Sequence, residues 1–206
     1  MTPDDITPLF TRTDGSFLCA RWGRPIVPVI FGVEAQTLGV LKGAIEAVVA
    51  MAGHKMAETD AELGANLMKF FFRNWAELDG LTDLDRMVPG IDDLIPRLEA
   101  EGAHHYRHFR FDEAGAIKAC FVFVRMSPAL ADLSAETIAL TQALQMILSW
   151  SDAAFASASP LALLDGAAVV RPEIANVIRA AYDPVLPASS RDPSHGLRLF
   201  ARIERA

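Results

Sequence analysis

The clearest hairpin pattern in the chain is HHYRHFRFDEAGAIKACFVFVRM, residues 104–126. Two runs of strand-forming residues flank Asp112 to Gly115, where a glycine can adopt the positive φ of a tight turn. The pattern predicts a β-hairpin. Along its first strand, His104 and His108 would share a face about 13 Å apart, at about 3.3 Å per residue. We therefore expect no single metal ion between these two histidines.

Apolar runs upstream of the hairpin predict a strand, a helix and a second strand. The prolines of RPIVPVIFGV mark the limits of a strand at residues 26–31. Apolar residues recur at helical spacing over residues 35–52, and Gly53 ends that helix. Residues 66–72, NLMKFFF, are brief and aromatic, which favours a buried strand. Prolines interrupt residues 81–102, which predicts short helical turns in a surface excursion.

The second half of the chain is predicted to be rich in helix. Ser134 is a suitable N-cap for a long helix that ends near Trp150. Another helix begins at Pro172 and ends near Tyr182, and GLRLFARIE, residues 196–204, alternates like a C-terminal strand. Strands followed by a helix-rich half predict one α+β domain, residues 1–206, on a mixed sheet.

Charge and hydropathy exclude several classes of partner. Nineteen basic residues against 26 acidic ones give a net charge of −7, which opposes binding to nucleic acid and to anionic membranes. No apolar segment reaches the roughly 20 residues of a spanning helix, and MTPDDITPLF lacks the pattern of a signal peptide. The sequence therefore predicts a cytoplasmic protein that contacts neither nucleic acid nor membrane.

The remaining candidates for metal binding or nucleophilic chemistry are isolated. His54 and His195 each lie next to a glycine and are predicted in loops. Cys19 and Cys120 do not form a C-x-x-C pair and have no histidine and acid at a recognisable family spacing. We expect two reduced thiols, with a single bridge between them as the alternative.

The order of predicted elements resembles the zincin-like metallopeptidases, and the residues resemble an uncharacterised bacterial family of unknown function related to them. That family carries a helix with Glu-x-x-Gln-x-Leu-Gly-Leu, then Asn-Asp, and later Leu-Tyr-Asp-Pro-x-Leu. Here TQAL at 141–144, Ser-Asp at 151–152 and AYDPVL at 181–186 are similar to these pieces. The resemblance covers residues 22–187 and leaves 188–206 as a C-terminal strand and tail. It implies a zincin-like fold, a mixed sheet with a long N-terminal helix, a central helix and a helical C-terminal part.

The resemblance also shows what the helix 134–150 lacks. A working zincin helix needs two histidines at i and i+4 and a glutamate beside the first. If Gln142 occupies the position of the second histidine, Ile138 occupies the position of the first histidine and Ala139 that of the glutamate. The resemblance thus implies no catalytic residue, no metal and no cofactor. The alternative is an ordinary core helix that never had a catalytic counterpart.

The predicted ligand site is a small polar pocket beside this helix. If the YDP turn folds back, Tyr182 and Asp183 join Gln142, Gln145 and Asp152 in a cleft for a small molecule, a peptide or a protein partner. Capping of the preceding helix by Asp183 is the structural alternative. A metal-dependent hydrolase with unrecognised ligands and a structural or self-associating protein are two further hypotheses.

Overall fold

A four-stranded mixed sheet lies at the centre of the computed structural model, which describes residues 1–58, 64–78 and 84–205. Helices cover this sheet, and further short strands lie before and after it along the chain. In chain order the elements are α1 (Pro3–Ile6), a 3₁₀ helix (Thr7–Phe10), β1 (Cys19–Ala20), β2 (Pro28–Phe31), α2 (Ala35–Met51), β3 (Leu67–Phe72), a second 3₁₀ helix (Trp75–Leu78), α3 (Leu84–Met87), α4 (Ile91–Ala100), β4 (His105–Phe111), β5 (Ile117–Arg125), α5 (Pro128–Ala131), α6 (Ala135–Ile147), β6 (Leu161–Leu164), β7 (Ala167–Val170), α7 (Pro172–Ala181), β8 (Ser189–Ser190) and α8 (His195–Ile203).

The central sheet has the strand order β2-β3-β5-β4. β2, β3 and β5 run parallel, and β4 pairs antiparallel with β5 at the edge. The predicted hairpin is confirmed: its turn closes with a hydrogen bond from the Asp112 amide to the Ala116 carbonyl, and Gly115 has a φ of 79°. The α+β class is confirmed as well.

Helices α2 and α6 pack together over one face of this sheet. Leu67 and Phe71 on β3 and Val122 on β5 belong to the same hydrophobic cluster as Ala139 and Ala143 on α6. Both alanines are completely buried, and such small side chains allow α6 to approach the sheet closely. This arrangement places the α6 residues with longer side chains directly above the strands.

The opposite face is covered by the segment that was expected to be a surface excursion. That expectation is wrong, because Ile91, Ile95 and Leu98 of α4 are buried in a second cluster with Trp75 and Phe123. Their spacing of four and three residues gives α4 an apolar stripe even though Pro96 lies inside it. The short helices themselves were predicted correctly, while residues 81–83 lie outside the described ranges.

The helices predicted at residues 35–52, 134–150 and 172–182 correspond to α2, α6 and α7 to within a few residues. Ser134 caps α6 by accepting a hydrogen bond from the Thr137 amide at 3.2 Å. α6 ends at Ile147 rather than near Trp150, because Leu148 is extended and the Ser149 amide donates to the Ala20 carbonyl. In the described part of the chain, no helix combines the length and the apolarity needed to cross a membrane.

The C-terminal residues differ from the prediction. GLRLFARIE forms the helix α8 instead of a strand, with Leu199 completely buried. His195 is the first residue of that helix and is 2% exposed, so its assignment to a loop is also wrong. Residues 188–206 are not a simple tail, since β8 pairs antiparallel with β1 and α8 contacts α1.

The two cysteines lie in different parts of this fold. Cys19 is on β1 and Cys120 is on β5, and both are free and buried. Burial raises the pKa of each thiol to about 12. Neither is therefore a thiolate at neutral pH.

Candidate functional site

A cavity of about 440 Å³ lies between the edge strand β4, the helix α4 and the residues that follow α6. We call it the edge-strand cleft. Its wall includes Arg107 on β4 and Trp150 and Asp152 beyond the end of α6. Of the predicted site residues, Asp152 lines this cleft, and Gln145 reaches it through Arg107.

The strand register places the side chain of Arg107 on the face of the sheet that α6 covers. Arg107 stands opposite Val122 on β5, and Val122 stands opposite Lys69 on β3. Residues in one cross-strand row share a face of the sheet, so both cationic side chains project from the face that α6 covers. Nη1 of Arg107 donates to Oε1 of Gln145 at 2.5 Å. This hydrogen bond fixes the orientation of the guanidinium.

Arg107 has no opposing charge in close contact. Within the described ranges no carboxylate oxygen lies within 4 Å of its guanidinium. Burial lowers the pKa of Arg107, while Cys120 and Asp152 oppose that shift. An arginine nevertheless stays protonated in proteins. The side chain is thus a fixed, partly buried cation.

The other charged groups of the cleft are paired or neutral. Arg12 lies 3.8 Å from Asp152, and Arg97 lies 4.0 Å from Glu101. Partial desolvation lowers the pKa of His105 although the residue stays exposed to solvent, and the charges of Arg107 and His104 contribute to that shift. His105 is therefore neutral at pH 7 and can serve as a hydrogen-bonding group.

Behind Arg107 lies a buried polar layer between the sheet and α6. Lys69 is 0% exposed, and burial lowers its pKa to about 7. Gln142, 3% exposed, lies three residues before Gln145 on the same side of the helix. Neither Nζ of Lys69 nor Oε1 of Gln142 has a hydrogen-bond partner in the described residues. A buried donor and a buried acceptor without partners are a costly arrangement for a core.

Sequence reasoning found the two glutamines of this layer but not the two cations. Lys69 is the one charged residue in NLMKFFF, and strand alternation places it on the same face as Leu67 and Phe71. A lysine among buried apolar neighbours was therefore visible in the sequence. Arg107 was not, because only the pairing of β4 with β5 shows which side of the hairpin faces α6.

Tyr182 and Asp183 lie elsewhere, at the end of α7. The Tyr182 hydroxyl donates to the Ile147 carbonyl at 2.9 Å and accepts from the Trp22 amide at 3.3 Å, and burial raises the pKa of Tyr182. Asp183 accepts from the Val185 amide at 2.8 Å and pairs with Arg202 at 3.5 Å. Asp183 thus has the turn-capping role of the structural alternative, and neither residue lines the edge-strand cleft.

The positions that the resemblance assigns to a metal ligand and a base are apolar here. Ala139 is completely buried, and Ile138 lines a different cavity. The part of the chain that the structure describes contains no group of three or more histidine, cysteine, aspartate or glutamate side chains positioned around a common metal site. His104 contacts Arg125, and His108 lies near Phe121.

Comparison of the chain with protein-family models, with curated proteins and with solved structures gives no match. The protein is therefore described by its fold and by its cleft. The molecule is an α+β protein whose mixed sheet carries a cleft with an oriented arginine at the edge strand.

Proposed function

We propose that the chain is a catalytically inactive zincin-like domain that binds a carboxylate-bearing small molecule or the carboxyl terminus of a peptide in the edge-strand cleft. The observation that carries the proposal is Arg107. Its guanidinium is held by Gln145 and has no carboxylate partner within 4 Å among the described residues.

A ligand carboxylate supplies what Arg107 lacks. A guanidinium removed from water costs free energy unless an anion or several acceptors compensate. Carboxylates match the planar fork of arginine and form two parallel hydrogen bonds with it. Because Gln145 already orients the group, less side-chain entropy is lost on binding.

The rest of the cleft suits the body of such a ligand. Tyr106, Phe109 and Trp150 contribute aromatic surface to the cavity, whose volume of about 440 Å³ is typical of small-molecule sites. β4 also has no strand partner on its outer side within the described sheet. A peptide could therefore add to this edge through its backbone while its carboxyl group contacts Arg107.

The inactive, zincin-like part of the proposal is supported by α6. The helix follows a mixed sheet with a long preceding helix, as the resemblance implies. Ile138 and Ala139 have side chains that can neither coordinate a metal nor accept a proton. About one zinc per chain, retained through dialysis of protein purified without chelator, would contradict the inactive assignment.

N-acetylphenylalanine tests the proposed binding by calorimetry, with its carboxamide as the matched uncharged ligand. We expect the acid to bind and the amide to bind at least about tenfold more weakly, a difference of about 1.4 kcal/mol. Arg107→Gln should remove this preference, whereas Arg12→Gln should retain it because Arg12 is already paired with Asp152. Equal binding of acid and amide, or no effect of Arg107→Gln in a folded variant, would refute the proposal.

A further inference from the structure

A second candidate site lies where the parallel strands end. β2, β3 and β5 run in the same direction, so their carboxyl ends meet at one edge of the sheet. Ligands of open sheets with parallel strands commonly bind at this edge. Two cavities of about 320 and 780 Å³ open there, and Met126 and Ala131 line both of them. We call these two adjoining cavities together the strand-end groove.

The smaller half of the groove is apolar. Val33, Leu41, Phe71 and Ile138 line it together with the exposed Leu133. Among the residues that the structure describes, no basic side chain lines this half, and Glu34 is its one acidic residue. An apolar group would be removed from water here, whereas an anionic group would be repelled by Glu34.

The larger half has the opposite character. Arg73, His104 and Arg125 line it, together with the uncharged polar residues Asn74 and Ser127, and no acidic residue from the described ranges does. In the described ranges neither guanidinium has a carboxylate oxygen within 4 Å, while the Glu77 carboxylate accepts hydrogen bonds from the backbone amides of Arg73 and Asn74. This concentration of unpaired basic groups occurs on a chain whose net charge is −7.

The orientation of Arg125 is fixed by neighbouring groups. Its Nη2 donates to the Gly102 carbonyl at 3.3 Å and lies 3.4 Å from Nδ1 of His104. Its Nε is buried and has no hydrogen-bond partner in the described part of the chain. The guanidinium is thus under-satisfied, and a buried donor without a partner calls for an acceptor.

We propose that the strand-end groove binds a free amphipathic carboxylate, with an unbranched acyl chain in the apolar half and the carboxylate on Arg73 and Arg125. The distribution of charge sets this direction, because Glu34 disfavours the anion at the apolar end. A volume of about 320 Å³ fits one extended chain rather than a helix of a protein partner. In the described part of the chain the groove and the edge-strand cleft have no lining residue in common, so this site is independent of the proposed function.

Calorimetry with octanoate, acetate and octanol tests the groove, with all three ligands below the concentrations at which they aggregate. We expect octanoate to bind at least about tenfold more tightly than either acetate or octanol, because each of these lacks one of the two contacts. Ala131→Trp should weaken octanoate binding at least about tenfold by filling the junction of the two halves, and Ala131 is exposed enough to accept the substitution. The double variant Arg73→Gln, Arg125→Gln should weaken it as much.

Two further variants show whether octanoate binds in the strand-end groove itself. Arg107→Gln, which removes the carboxylate-binding cation of the edge-strand cleft, should leave octanoate binding unchanged. If the double variant does not fold, Arg73→Gln alone should still weaken binding, since Arg73 is exposed. The proposal is overturned if octanoate does not bind, if folded Ala131→Trp binds it normally, or if folded Arg107→Gln abolishes binding. Arginine-dependent binding to phosphatidylglycerol vesicles without binding of free octanoate would also overturn it.

Discussion

Gln142 and Gln145 are the same type of residue on the same helix, yet their hydrogen-bonding surroundings differ. Both are buried on α6, three residues apart. Gln145 accepts a hydrogen bond from Arg107, whereas Oε1 of Gln142 has no partner in the described residues. Removing one partner of a buried hydrogen bond leaves the other group unsatisfied, which lowers stability. Removing a buried group that has no partner takes away an existing desolvation cost. The same substitution should therefore have different effects at the two positions.

We expect Gln145→Leu to lower the free energy of unfolding by about 1 to 3 kcal/mol, because Arg107 loses its hydrogen-bond acceptor. Gln142→Leu should leave stability unchanged or raise it by up to about 1 kcal/mol. Chemical denaturation of the two variants beside the unmodified protein measures both values. Equal losses at the two positions would show that Gln142 also has a partner.

Lys69 should make stability depend on pH. Burial lowers its pKa from 10.5 to about 7, so between these values the unfolded chain binds a proton that the folded chain does not. Stability therefore rises with pH through this window, with a slope of up to about 1.4 kcal/mol per pH unit. Below about pH 7 both states are protonated, and the cost of burying the charge is fully present.

Lys69→Met should accordingly stabilise the protein, and the gain should be largest near the lower end of this window. Denaturation at about pH 6 and at about pH 10 compares the two limits. Lys42→Met, on the exposed side of α2, is the matched control and should show no such pH-dependent gain. A gain at Lys69 that did not change with pH would contradict the lowered pKa.

The secondary-structure elements that were predicted correctly are those that local sequence patterns determine. The hairpin β4–β5, the strand β3 and the helices α2, α6 and α7 follow from periodicity, turn and capping residues. The apolar cover on the second face did not, because contacts between distant segments determine it. α8 was mistaken for a strand, since Leu197 and Leu199 alternate although only Leu199 is buried.

The β6–β7 hairpin had a signal that was overlooked. Asp165 and Gly166 form its two-residue turn, with φ values of 51° and 82°. An Asp-Gly pair with two positive φ angles is the preferred turn of short hairpins.

The candidate site could be predicted only in part. Gln145 and Asp152 were predicted from the sequence of α6 and the residues after it, but their cationic neighbours could be found only from the sheet register.

Two glycines should respond oppositely to alanine. Gly166→Ala places a side chain at a φ of 82°, and we expect a loss of about 1 to 2 kcal/mol. Gly39 lies inside α2 with open space around an added Cβ, so Gly39→Ala should raise stability by about 0.5 to 1 kcal/mol. Thermal unfolding of both variants checks this contrast. A gain at Gly166 would be incompatible with the turn described here.

At the scale of the whole molecule, the two ends of the chain are packed together. β1 pairs with β8, and α1 contacts α8. Arg21, next to β1, donates to the carbonyl oxygens of Ala181, Asp183 and Leu186. The N-terminal and C-terminal segments thus complete the hydrophobic cluster that supports α6.

Leu199 tests whether α8 belongs to this cluster. Its side chain is completely buried, so Leu199→Ala should leave a cavity and lower the free energy of unfolding by about 2 to 5 kcal/mol. Leu197, two residues earlier on the same helix, is 58% exposed, and Leu197→Ala should change stability by less than about 0.5 kcal/mol. Denaturation curves of the pair provide the comparison. A strand with the predicted alternation would place both leucines on one face and make the two losses similar, so a large difference distinguishes the helix from the strand.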